Sequence, residues 1–340
     1  MNIHQWKKHI NTVNDSFKKD KAIHNQWNVH TEANLPKFNR DNSIWALDFK
    51  YYGKDEKAII LVGSSPSLKN DVKYLRDIDD VFRIVCANSA LKFLLKNGVK
   101  PHYCICLDSD DIDIPKHLDC DNKDITLLAN TAMSPRALDK WKGPVYFLPY
   151  YSIRKDLIIK IKNKLGKMIQ GGGNSMSCAL WIVSVIFNSK TIIFCGNEYC
   201  FDKVKDYYAD KNASKQEKME VIYPVKDILD RDRWTQPAHY SYAMWIEKCC
   251  QDLTPGGFFI DTSFGLLGTD VDSVIQIMKM EDAIKKIRWS FKIRDKLNKT
   301  KTEEERLKII ASLLPKDEPS KVYHYHMPEH RERILQLARG

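Results

Sequence analysis

Ala58-Ile59-Ile60-Leu61-Val62-Gly63-Ser64-Ser65-Pro66-Ser67-Leu68 is the stretch that decides the fold. Five apolar residues in succession stop at Gly63, the pattern of a strand covered on both faces, and a turn rich in Ser and Pro then opens a helix. Outward from it, short apolar runs closed by Gly or polar residues recur at 82–86, 103–107, 125–129, 145–148, 191–195 and 257–260. Helical patterns fall between or beside them at 68–75, 89–97, 135–141, 175–188 and 240–251. Strands alternating with helices, joined by right-handed crossovers, predict an α/β fold: a Rossmann-like, mostly parallel sheet with helices on both faces.

Three regions follow from the change of texture along the chain. Residues 1–55 are polar and aromatic with weak periodicity and a break at Pro36, which predicts a helical and irregular extension. Residues 56–270 carry the Rossmann-like core, and 271–340 form a charged helical tail broken by Pro315, Pro319 and Pro328. With 43% hydrophobic and 29% charged residues among 340, the composition excludes a disordered or fibrous chain.

The longest apolar windows, at 181–187 and 191–195, fall short of the roughly 20 residues of a membrane-spanning helix. The N-terminus has no continuous apolar core of a secretory signal. Nine cysteines, mostly inside apolar runs, read as reduced thiols, so a cytoplasmic location is expected. No C-x-x-C pair occurs, and His324, His326 and His330 have no cysteine nearby to complete a zinc site. The net charge of +10 favours an anionic partner: a nucleotide, a nucleic acid or an acidic surface. Much of the excess sits at 155–167 and 285–301, where basic residues interleave with Ile and Leu as on a solvated helix face. No compact nucleic-acid-binding motif accompanies it.

Five segments carry residues suited to chemistry. In open α/β sheets, ligands sit at the carboxyl ends of strands, where helix N-termini offer amides to anions. Gly63, Ser64, Ser65 and Ser67 form one such turn, in which glycine allows close approach and the serines add donors. Cys106-Leu107-Asp108-Ser109-Asp110-Asp111 ends another strand with three carboxylates, which repel one another unless a cation such as Mg²⁺ compensates them. Gln170-Gly171-Gly172-Gly173-Asn174-Ser175 opens a third site before a helix. Gly196, Asn197 and Glu198 follow the strand at 191–195, and His239 precedes an aromatic-rich helix, where it suits general acid or base work with a pKa near neutrality. Each segment also has a plain structural reading, as a capped turn, a solvated acidic loop, a flexible loop or a structural histidine.

In their order along the chain these segments resemble the MptE-like family, the archaeal 6-hydroxymethylpterin diphosphokinases and their relatives among bacterial motility accessory factors. The resemblance covers roughly residues 57–270. It rests on Gly63-Ser64-Ser65-Pro66-Ser67-Leu68, which is similar to the family's G-x-G-P-S-L turn, and on Cys86-Ala87-Asn88-Ser89-Ala90-Leu91. It rests further on Gly98-Val99-Lys100-Pro101-His102-Tyr103 leading to Asp108, on the Gly-rich turn before Asn174-Ser175, and on Gly196 to Glu198 followed by Phe201 and Tyr208-Ala209. Ser65 stands where the pattern has a second Gly, and Glu198 where it has Asp.

For the diphosphokinases the resemblance implies an ATP- and Mg²⁺-dependent transfer of pyrophosphate to a hydroxymethyl group of a small, pterin-like acceptor. Asp108 and Asp110, with Asp111 beside them, would then hold the metal, and the Gly63 and Gly172–Gly173 turns the phosphates. A second resemblance, to bacterial sialyltransferases that use CMP-sialic acid, implies a CMP-sugar donor with no obligatory metal. His239 would then deprotonate the acceptor hydroxyl, while Ser65 and Asn88 contact the nucleotide.

Overall fold

The computed structural model describes residues 21–47, 57–76, 78, 81–150, 154–202, 208–210, 222–253 and 256–312. The tail prolines and histidines beyond 312, and the first 20 residues, lie outside them. In chain order the helices are α1 (Lys21–Asn34), α2 (Leu68–Asp71), α3 (Asn88–Lys96), α4 (Asp113–His117), α5 (Pro135–Lys140), α6 (Lys155–Leu165), α7 (Ser175–Val185), α8 (Pro237–Leu253), α9 (Met280–Lys299) and α10 (Glu303–Ser312). The strands are β1 (Ala58–Val62), β2 (Phe82–Ala87), β3 (Tyr103–Cys106), β4 (Thr126–Asn130), β5 (Val145–Leu148), β6 (Thr191–Cys195), β7 (Tyr223–Lys226), β8 (Asp232–Thr235), β9 (Phe258–Asp261) and β10 (Ile275–Ile277).

Eight strands form one sheet in the order β10-β9-β6-β1-β2-β3-β4-β5. Every neighbouring pair is parallel, so the expected Rossmann-like α/β architecture is the one observed. The chain runs outward from β1 to β5, returns across the sheet, and adds β6 on the other side of β1. In register, Val62 faces Cys86 on one side and Cys195 on the other. The strand order therefore reverses at β1, and the gap between the carboxyl ends of β1 and β6 is the switch-point crevice of an open α/β sheet.

The core explains why α7 is apolar on nearly all sides. It is buried from Met176 to Ser184, packing on β1, β2 and β3 and also against α8. Such a helix belongs inside a domain rather than on its surface. All nine cysteines are free thiols, and eight are buried, with only Cys120 partly exposed.

The sheet differs from expectation in three places. It continues past residue 270 to β10, whose three residues are too short to stand out as an apolar run. An antiparallel hairpin, β7–β8, lies outside the main sheet; its alternation is half exposed and includes Pro224. The described part of the N-terminal extension is fastened to the sheet domain: Asn34 Nδ2 donates to the carbonyls of Thr131 and Met133 at 3.1 and 2.8 Å, and Ser43 bridges to Phe147.

The chain divides into two compact units, the first reaching Met280 and the second starting at Glu281. The described part of the second unit is α9 and α10, with basic side chains exposed along α9 and Leu307 buried on α10. Among the described residues, no helix is long and apolar enough to cross a membrane.

Candidate active site

The Gly63, Asp108, Gly172 and Gly196 segments all lie at the carboxyl edge of the sheet. Three follow the ends of β1, β3 and β6, and the fourth opens α7, which runs back toward the start of β6. The two central turns touch backbone to backbone. Gly63 N–H donates to Cys195 O at 2.8 Å, and Ser65 N–H to Gly196 O at 3.0 Å. A Cβ on Gly63 would come within 2.3 Å of Gly196 O, and Gly196 itself has φ +65°. Glycine is required here to let the protein's own turns meet.

Glu198 changes what the first turn offers. Its Oε1 accepts the Ser67 N–H at 2.5 Å, and its own N–H donates to Ser65 Oγ at 3.3 Å. Burial raises the Glu198 pKa, while Arg233 and Arg231 nearby oppose the shift. The amide expected to meet a phosphate thus already holds a carboxylate, and α2, four residues long, adds little dipole. Those two arginines share Asp227, whose Oδ2 accepts from Arg231 Nε at 2.7 Å and Arg233 Nε at 2.8 Å; Arg233 also pairs with Asp202.

Asn197 corrects the sequence reading. Its side chain is buried, and its Nδ2 donates to Leu61 O at 2.9 Å and Cys195 O at 3.0 Å, clipping β1 to β6 instead of facing a ligand. Ser64 Oγ accepts from Ser89 Oγ at 2.9 Å, and the Asn88 amide meets His117 Nδ1 at 2.9 Å, so both stand at the mouth of the crevice with one partner each.

The three carboxylates after β3 do not converge. Asp108 is exposed, its Oδ1 accepting from the N–H groups of Ser109 and Asp110 at 2.7 and 3.2 Å. Asp110 caps the next turn by accepting from Ile112 and Asp113 N–H at 2.7 and 2.5 Å. Asp111 turns away to His30 Nε2 at 3.1 Å and Ser134 Oγ at 2.5 Å. Among the described residues no three His, Cys, Asp or Glu side chains gather as a metal-ligand group. Asp111 is therefore not a third ligand beside Asp108 and Asp110, because α1 and the β4–α5 turn already hold it.

The glycine run before α7 is packed by aromatic rings. Cβ atoms at Gly171, Gly172 and Gly173 would lie 2.8 Å from Tyr150, 2.5 Å from Trp245 and 2.8 Å from Tyr242. Asn174 then caps α7, its side chain accepting Ser177 N–H at 2.7 Å while Ser177 Oγ accepts Asn174 N–H at 3.2 Å. His239 lies one turn before Tyr242 on α8, with the rings 6.2 Å apart. Tyr242 is half-buried, and its loss of solvation and the Asp108 charge both raise its pKa. His239, Tyr242, Gly173 and Asp108 therefore share one neighbourhood. Burial pushes the His239 pKa down to about 4, so the near-neutral value expected of it is corrected. A neutral imidazole is favoured because the charged form loses solvation.

The parallel sheet and its switch-point crevice define a Rossmann-like α/β protein with a ligand site at the carboxyl edge. The profile of the family described as "6-hydroxymethylpterin diphosphokinase MptE-like" matches residues 30–204, just over half the chain, and the chain belongs to the MptE-like family. Among solved structures, it is similar to a MAf glycosyltransferase from Magnetospirillum magneticum AMB-1, with a TM-score of 0.52 and 13% identity. The similarity covers 84% of this chain and 45% of that one, so this chain spans less than half of that protein's length. It reflects a shared fold. No curated protein sequence matches the chain. The family's description points to a transferase.

Proposed function

We propose that the protein transfers a CMP-activated nonulosonic, sialic-type sugar to an acceptor hydroxyl, with His239 as general base. The observation that carries this reading is the placing of His239 beside Tyr242, against the glycine turn that opens α7. A leaving phosphate at the α7 N-terminus would face helix amides and a favourable dipole. In the reaction the bond from the sugar's anomeric carbon to the phosphate oxygen breaks, and the acceptor oxygen takes that carbon. The acceptor's proton passes to the imidazole. With a pKa of about 4, His239 is already unprotonated at neutral pH. It is a weak base, so its help is greatest late in the transfer, when the attacking hydroxyl has become acidic.

A second reading, the ATP- and Mg²⁺-dependent diphosphokinase acting on a pterin-like hydroxymethyl group, is favoured by the family's own description and by the exposed Asp108 near Tyr242. The residues fit Mg²⁺ only in a form where Asp108, helped by Asp110, supplies one or two carboxylates and substrate phosphates complete the shell. When bound, the ion would neutralise charge on those phosphates.

Both donors decide between the readings in one assay. With CMP-nonulosonate, His239→Gln is expected to lower CMP release about 100-fold or more, and Asp108→Asn to change it only a few-fold. The wild-type rate should stay level from pH 8 down to about 5, with its acid limb near the His239 pKa of about 4. With ATP and a hydroxymethylpterin, AMP release that survives His239→Gln but fails in Asp108→Asn would assign the diphosphokinase instead.

A further inference from the structure

Helix α9 carries its charge on one side. Lys285, Arg288, Trp289, Lys292, Lys296 and Lys299 are all exposed, and their spacing of three and four residues puts them in one row along the helix. At about 1.5 Å per residue this row is roughly 21 Å long. The side facing away from it is apolar: Ala283, Ile284 and Ile287 are buried, and Phe291 is covered by its own neighbour Arg294, whose guanidinium carbon lies 4.3 Å from the ring centre. The acid in the row is Glu281, in the first turn, and it is paired to Lys285 at 2.6 Å. Lys292, Lys296 and Lys299 make no ion pair with a described residue.

Trp289 is the second, independent observation. It stands in the middle of the basic row, 51% exposed, with no ring contact to a described residue. A solvated face accounts for the lysines but not for this side chain, since tryptophan is the residue that proteins otherwise keep mostly covered. Its apolar body and polar N–H match the layer where lipid headgroups meet acyl chains, and the lysines around it match a negative headgroup plane.

The shape of the row selects among anionic partners. A single-stranded nucleic acid is held in a basic groove by several aromatic rings on which successive bases stack, whereas α9 offers one ring on a convex surface. A flat anionic layer meets all six positions at once. We propose that α9 is a peripheral membrane contact: its basic row lies along an anionic lipid surface, and Trp289 reaches into the headgroup layer. Because the apolar side of α9 is already buried in the protein, the contact is electrostatic and reversible instead of an insertion. It does not depend on which donor the protein uses.

The test is binding of the full chain to vesicles of phosphatidylglycerol and phosphatidylcholine in equal parts, and to vesicles of phosphatidylcholine alone, by flotation and titration. The wild type should bind the anionic vesicles at low salt, release them at high salt, and ignore the zwitterionic ones. Each lysine near an anionic leaflet contributes about fivefold in affinity, so Lys292→Gln combined with Lys296→Gln should bind about 30-fold more weakly. Lys155→Gln combined with Lys162→Gln, which removes the same charge from exposed positions on α6, should change binding only a few-fold. Brominated acyl chains in the anionic vesicles should quench tryptophan emission in the wild type and less so in Trp289→Phe. All these positions are exposed, so the variants should melt with the wild type in the absence of vesicles.

The proposal falls if the wild type does not bind anionic vesicles at low salt or binds both kinds equally. It falls if the α6 pair weakens binding as much as the α9 pair, because net charge and not this face would then be responsible. Quenching unchanged in Trp289→Phe would remove Trp289 from the membrane and overturn the orientation proposed. Binding of a mixed-sequence RNA or DNA that depends on Lys292 and Lys296, without vesicle binding, would assign the face to nucleic acid instead.

Discussion

One added methyl group tests the seam between the two central turns. Gly63→Ala would press a Cβ to within 2.3 Å of Gly196 O, and the obstacle is backbone in the middle of the sheet, which cannot step aside. A loss of about 2 kcal/mol or more is expected, read as a lowered urea midpoint. Gly256→Ala, at φ +73° but in open space, should cost only about 1 kcal/mol. The sequence marks Gly63 as a position of close approach but cannot say to what; there, as at Gly172 and Gly196, the nearest neighbour proves to be the protein itself. Asp111 and Asn197 misled for a related reason. Residue type and spacing announce a carboxylate or an amide, whereas its partner is decided by the fold; His30, which holds Asp111, lies 81 residues away.

At the scale of elements, the ends of β9 and α8 carry opposite proton linkages. Asp261, the last residue of β9, is fully buried; its Oδ2 accepts from Ser263 and Phe264 N–H, and its Oδ1 has no partner. Burial raises its pKa from 3.8 to about 7. The folded state therefore keeps a proton that the unfolded chain releases above pH 4, and this contribution to stability is lost as pH rises from about 4 to 7. His239, at the start of α8, has the reverse sign: its lowered pKa contributes stability above about pH 6.5 that is lost as pH falls toward 4. Relative to the wild type, Asp261→Asn should gain stability with rising pH across this window, by up to about 1.4 kcal/mol per unit, and His239→Gln should lose it. Urea midpoints at pH 4.5, 5.5 and 6.5 check both signs; an Asp261→Asn curve parallel to the wild type would mean that Asp261 is ionised in the native state. The elements that hold these groups were largely legible. Strands covered on both faces leave unbroken apolar runs, so β1, β5 and β6 match their predicted limits residue for residue. The hairpin β7–β8 and the short β10 were not, because half-exposed or three-residue strands leave too little apolar pattern to detect.

For the whole molecule, the layered α/β architecture was legible in the sequence, whereas β10, a strand of the same sheet past residue 270, was not, and the first compact unit reaches Met280. The strand order is also the feature with the widest reach. β1 sits at the centre of the sheet, and its partner on one side, β6, enters the chain only after β2 to β5 have been laid down on the other. Val62 and its partner Cys195 are separated by about 130 residues, which a ribosome adding 5–20 residues per second needs roughly 7 to 26 s to make. For that interval the nascent chain carries Ala58–Val62 with one edge unpaired and wholly apolar, the form of strand that recruits other chains. A protein stopped after Lys190 is expected to aggregate on release, while one stopped after Met280 remains monodisperse in light scattering. The central position that gives the crevice its walls thus makes β1 the strand that waits longest for its second partner during synthesis, and yield in the cell should depend on what guards that edge while translation continues.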